Sequence, residues 1–144
     1  MIGDILLLES AAFSIEPSRF ENGQLSDCPL GEGIAALIKS KLSGQEGNWA
    51  FNRIVLEDFG SVLMLSRESK LFSLTTCWMP TDKTENSWVI QFSQHHGCLR
   101  QLFRPKDDLD LLRELREDTQ RVLHAEASTK NLKWISEIEY RRLG

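Results

Sequence analysis

The sequence predicts an α+β domain built on an antiparallel sheet, and three observations carry that reading. Four runs rich in apolar, β-branched and aromatic residues follow one another between residues 49 and 93, joined by the short polar links "EDFG", "RES" and "PTDKTEN". Links this short force successive strands to run antiparallel, because a parallel pair needs a crossover of a dozen residues or more. Two stretches of helical period, 30–42 and 107 to about 127, flank the block. The order strand, helix, four strands, helix, short strand belongs to the α+β class. The expectation is a single domain over 1–144, an antiparallel sheet of about five strands, and both helices packed on one face, leaving the other face partly open.

Each element has its own signal. "ILLLESAAFSIE" (5–16) supplies one or two short strands, and the Pro, Gly, Asn, Asp and Ser of 17–29 mark a long loop. A loop of that length in a compact domain is either mobile or functional. In "LGEGIAALIKSKL", Ile34, Leu37, Ile38 and Leu42 make one apolar helix face. Lys39 and Lys41 suit its C-terminal end, and "SGQEG" stops it. "WAFNRIVLE" alternates so that Trp49, Phe51, Arg53 and Val55 share a face. "SVLMLSR", "KLFSLTTCWM" and "SWVIQFS" follow as strands. Pro105 and Asp107 open the long helix, with Asp107 as the N-cap, and Leu109, Leu111, Leu112, Leu115, Val122 and Leu123 form its buried stripe. "NLKWIS" adds a short strand, and 137–144 is a charged tail that is helical or frayed.

Composition narrows the functional classes. The 144 residues are 41% hydrophobic and 26% charged, with a net charge of -4 and a sequence pI near 5.4. No basic stripe is present, which disfavours nucleic acid as a partner. Cys28, Cys77 and Cys98 are odd in number and far apart, a pattern of neither a disulfide framework nor a zinc site. The expected location is therefore the reducing cytoplasm. No run approaches the 18 apolar residues of a membrane span, and "MIGDILLLESAAF" lacks the basic start of a signal peptide.

Several motifs come in a recognisable order: "FSIEP", the helix "GEGIAALIKSKL", "LEDFG" opening a hairpin, "TTCW" and "WVIQF". Over roughly residues 13–135 the chain resembles a group of small, mostly uncharacterised bacterial proteins with an I-E-P start, an E-D-aromatic-G hairpin and a late tryptophan strand. It departs from them at Ser61, where the group usually has a second aromatic. In size, acidity and architecture it is also similar to the immunity proteins that neutralise bacterial toxins. That resemblance implies a protein partner and brings no catalytic residue with it.

Glu57 and Asp58 are neighbours, and neighbours on a strand point to opposite faces. They converge only if the chain turns there, and Asp58 with Gly60 is good turn chemistry, with Gly60 expected at positive φ. His95, His96 and Cys98 offer ligand types, but three or four well-spaced ligands are needed and no carboxylate is near in sequence. Cys77 beside Trp78 reads as an inert buried thiol, and Cys98 beside Arg100 as the more exposed one. The P-loop, G-x-G-x-x-G, G-x-S-x-G and H-E-x-x-H motifs are all missing. Arg100, Arg104 and Lys106 form a small basic cluster. Trp49, Trp78, Trp88 and Trp134 read mainly as core, with Trp78 expected on the uncovered sheet face as a binding anchor.

The resulting expectation is a non-enzymatic protein-binding module without cofactor or metal. It is an immunity- or antitoxin-type inhibitor that occludes a basic partner, using Glu57, Asp58, Trp78, Asp82 and Glu85. A second expectation, from a different class, is a small-molecule or hydrolytic site built from Glu16, Asp58, His95 and Cys98. A third is self-association through an open sheet face or edge strand.

Overall fold

The computed structural model describes residues 3–43, 49–95 and 106–143, without side-chain detail at 106–108. Its elements are β1 (Ile5–Ser10), α1 (Glu32–Ser43), β2 (Ala50–Glu57), β3 (Gly60–Arg67), β4 (Lys70–Trp78), β5 (Ser87–His95), α2 (Lys106–Ala125), β6 (Thr129–Ile135) and α3 (Glu137–Leu143). All strand pairs are antiparallel, in the order β2-β3-β4-β5-β1-β6. The four-strand meander is as expected. The chain ends close the sheet on the far side: β1 inserts beside β5, and β6 pairs with β1 as the second edge. The sheet thus has six strands rather than about five, and a third helix is added to the expected two.

Alternation along the strands sorts the side chains onto two faces. Leu6, Leu8, Leu63, Leu65, Phe72, Leu74, Trp88 and Ile90 point to one face and are essentially fully buried. They meet Ile34, Ala35, Ile38 and Leu42 of α1 and Leu111, Leu112, Leu115, Val122 and Leu123 of α2. Each such side chain contributes about 1.5–3 kcal/mol by leaving water, so this layer carries the fold. Leu37 packs at its margin, whereas Leu109 is exposed at 46%, because it lies one position off the α2 stripe. Pro105, the predicted N-cap side chain of Asp107, and the basic cluster Arg100, Arg104 and Lys106 lie outside what is described.

The opposite face carries a smaller cluster. Ile5, Val89 and Ile135 are buried there, with Leu7, Cys77, Met79 and Tyr140 packed around them. Tyr140 belongs to α3, so the C-terminal segment folds over the uncovered face instead of fraying. A capping box holds its start: the Glu139 N–H donates to Ser136 Oγ at 3.1 Å, and the Ser136 N–H donates to Glu139 Oε1 at 3.3 Å.

The phase of β2 departs from the expected alternation. Phe51 pairs with Leu65 and Ile54 with Leu63, so Asn52 and Arg53 together oppose the single residue Met64. This β-bulge lets both Phe51 and Ile54 pack on the helix-covered core, while Arg53 is exposed. Trp49 precedes the strand and is also core. Its ring meets Phe72 edge-on at 5.6 Å, and its indole N–H donates to Asp118 Oδ2 of α2 at 2.9 Å. Arg67 lies over the same ring at 5.1 Å and pairs with Glu114 at 2.7 Å. These contacts fix α2 across the β2–β3 side of the sheet.

Candidate functional site

Register brings the chemistry-bearing turns to one end of the sheet. Glu57 pairs with Gly60, so Asp58 and Phe59 form a two-residue hairpin tip. None of Asp58, Phe59 and Gly60 has positive φ, which corrects the expected role of Gly60. The glycine is required by close approach instead: a Cβ there would lie 2.0 Å from the Thr76 carbonyl oxygen of β4. The turn that does use positive φ is the next one, where Glu68 and Ser69 take φ of 52° and 64° without a glycine.

Ser61 pairs with Thr76, and Trp78 with Trp88. The β4–β5 link, 79–86, therefore emerges at the same end as the 58–59 tip. The link is folded on itself: the Met79 N–H donates to the Ser87 carbonyl and the Thr81 N–H to the Thr84 carbonyl, both at 2.8 Å. The Trp78 indole N–H donates to the Glu85 carbonyl at 2.6 Å. Trp78 is half-buried against the helix-covered core, not on the open face where it was expected. Glu57, Asp58, Asp82 and Glu85 are all exposed. The five expected contact residues thus share one end of the molecule, four of them exposed carboxylates and the fifth a half-buried indole.

Two side chains at this end were not singled out from the sequence. Phe59 is 57% exposed at the hairpin tip, and Leu25 is 58% exposed. The signal for Phe59 lies in "EDFG" itself: an aromatic at the second position of a two-residue turn projects beyond the sheet and stays largely in solvent.

The 17–29 loop is a small hairpin beside the tip. Arg19 pairs with Leu25, the Phe20 N–H donates to the Gln24 carbonyl at 2.9 Å, and Gly23 takes φ of 85° in the turn. Ser18 anchors it, donating to Glu32 Oε2 at 2.7 Å and accepting from the Leu30 N–H at 3.2 Å. Cys28 reaches the turn, its thiol donating to the Asp58 carbonyl at 3.8 Å. Burial, then the nearby Asp27 carboxylate, raises the Cys28 pKa. Burial likewise pushes the Cys77 thiol to about 11, with Cys28 adding to the shift. Both thiols are held in the neutral form, the opposite of an activated nucleophile. Between the hairpin and β2 runs a groove of 660 Å³, lined by Arg19, Phe20 and Glu21 on one side and 53–58 on the other.

The second expected constellation does not assemble. His95 pairs with Leu71, whereas the Asp58 turn sits beside Cys77, six residues further along β4. At about 3.3 Å per residue that is roughly 20 Å, far beyond hydrogen-bond reach. The His95 ring Nε2 is 2.9 Å from Ser73 Oγ, and Glu16 is exposed on the β1–α1 connection. His96 and Cys98 lie outside the described residues. Among the described residues no group of three His, Cys, Asp or Glu side chains could hold a metal ion, and no helix is long and apolar enough to cross a membrane.

Fold and site together define a class: a small α+β domain on an open antiparallel sheet, with an acidic, aromatic-tipped end. No protein-family model matches the chain, and comparison with curated proteins and with solved structures found no match.

Proposed function

We propose that this protein is a non-enzymatic binding module that recognises a basic protein partner through the turn end of its sheet. The observation that carries the reading is the placement of the exposed Glu57, Asp58, Asp82 and Glu85 at the same end of the sheet as the exposed Phe59. Four carboxylates from two separate links give a negative field that steers a basic surface into place. A projecting aromatic beside them is the residue type that anchors an interface once water is excluded. A two-residue turn and a link held by its own hydrogen bonds carry these groups, so little ordering entropy is lost on docking. Both thiols that register near this end are kept protonated, which favours binding over chemistry. Immunity-type inhibition is the concrete form of the proposal: the acidic end enters and occludes a cationic cleft of a toxin, inside the reducing cytoplasm.

The test is affinity capture from the source cell with wild-type protein and with an Asp58→Lys/Asp82→Lys variant, read by mass spectrometry. A basic partner held stoichiometrically by the wild type and lost by the variant supports the proposal. Equal retention by both proteins contradicts it.

A further inference from the structure

We infer that β2 is a self-pairing edge, and that two copies of the chain join antiparallel through residues 53–57 about a two-fold axis at Val55. The inference rests on observations of the sheet edge rather than of the turn end, and the two surfaces share Glu57.

The two edges of the sheet are built differently. β6 carries Lys130 and Lys133, both exposed, the residue type that blocks edge-to-edge pairing. β2 has no lysine. After its bulge it runs Ile54-Val55-Leu56, three half-buried aliphatic residues in regular extended backbone. Glu57 faces Gly60 across a two-residue turn, so its backbone groups point toward β3. By alternation those of Val55 do the same, and those of Ile54 and Leu56 point outward. Among the described residues no main-chain hydrogen bond reaches them from the 18–26 hairpin.

The sequence of the edge is complementary to itself. An axis at Val55 sets Ile54 opposite Leu56 of the second copy, and these are the residues whose outward N–H and C=O groups would exchange hydrogen bonds. The same axis sets Arg53 opposite Glu57, twice by symmetry. Arg53, Val55 and Glu57 alternate onto one face, so each opposed pair lies side by side. Moving the axis by one residue in either direction loses both Arg53–Glu57 pairs. The groove along 53–58 measures 660 Å³. Asp58, Phe59, Asp82 and Glu85 lie past the last paired residue and stay available to another partner.

Sedimentation velocity of the full chain across micromolar concentrations tests the inference, with circular dichroism to confirm folding. The wild type is expected to dimerise. Arg53→Glu and Glu57→Arg are each expected to raise the dissociation constant roughly tenfold or more, by setting like charges opposite each other. The double variant Arg53→Glu/Glu57→Arg restores the opposed charges and is expected to restore the dimer. Val55→Cys places two thiols across the axis and is expected to cross-link under mild oxidation where the wild type does not. A wild type that remains monomeric overturns the inference. So does a dimer that survives both single reversals, or a double variant no better than the singles.

Discussion

Gly60 lies directly beneath the carbonyl of Thr76: a Cβ on the glycine would stand 2.0 Å from that oxygen. The obstacle is backbone in the first pair of the β3–β4 ladder, Ser61 with Thr76, and is not the far end of a flexible side chain. Gly60→Ala is expected to destabilise the protein by about 3 kcal/mol, the upper end of the usual overpacking range. Denaturant unfolding measures this directly. A loss below about 1 kcal/mol would mean that the two strands separate easily at this end.

The two described thiols give a pH prediction. Cys77 is held at about 11 and Cys28 above its ordinary 9.0, both first by burial. Tyr140 is raised in the same direction by burial and by Cys77, against a hydrogen bond from Gln91. A raised pKa means that the folded state keeps its proton where the unfolded state has released it. The stabilising contribution is therefore complete below about pH 9 and is lost as pH climbs toward 11. Stability should fall across that window, and Cys77 should resist alkylation at pH 8. Prompt alkylation of Cys77 at pH 8 in the folded protein would contradict this.

Ser136 starts α3 by bonding the Glu139 N–H, and Tyr140 of the same helix covers the cluster that includes Cys77. Ser136→Ala should cost about 1 kcal/mol. It should also speed hydrogen exchange at Glu139 and Tyr140 and speed labelling of Cys77. Unchanged exchange at both amides would show that packing alone holds the helix.

The local parts of this fold were legible in the sequence, and the non-local parts were not. The apolar period of α1 identified Ile34, Ile38 and Leu42, and the short links identified the meander. Nothing local indicates that β1 sits between β5 and β6, since that pairing joins residues 78 or more positions apart. Alternation mis-phased β2 because a bulge adds a residue without leaving a mark in the sequence. Trp78 was assigned to the wrong face because "KLFSLTTCWM" is apolar on both sides and gives no polarity to orient it. At the site, the carboxylates Glu57, Asp58, Asp82 and Glu85 were picked individually, but their meeting at one end depends on strand register. Phe59 reads from the sequence only as part of a turn.

The claim that matters most is that the acidic, aromatic-tipped end binds a partner, and Phe59 tests it most directly. Its side chain is 57% exposed and belongs to neither core cluster, so Phe59→Ala is expected to leave stability within about 0.5 kcal/mol. Calorimetric titration of the captured partner with wild type, Phe59→Ala and a remote control, Lys130→Glu on β6, separates the outcomes. Phe59→Ala is predicted to weaken binding at least tenfold, about 1.4 kcal/mol, while Lys130→Glu leaves it unchanged. Equal affinity for wild type and Phe59→Ala would place the binding surface elsewhere on the molecule.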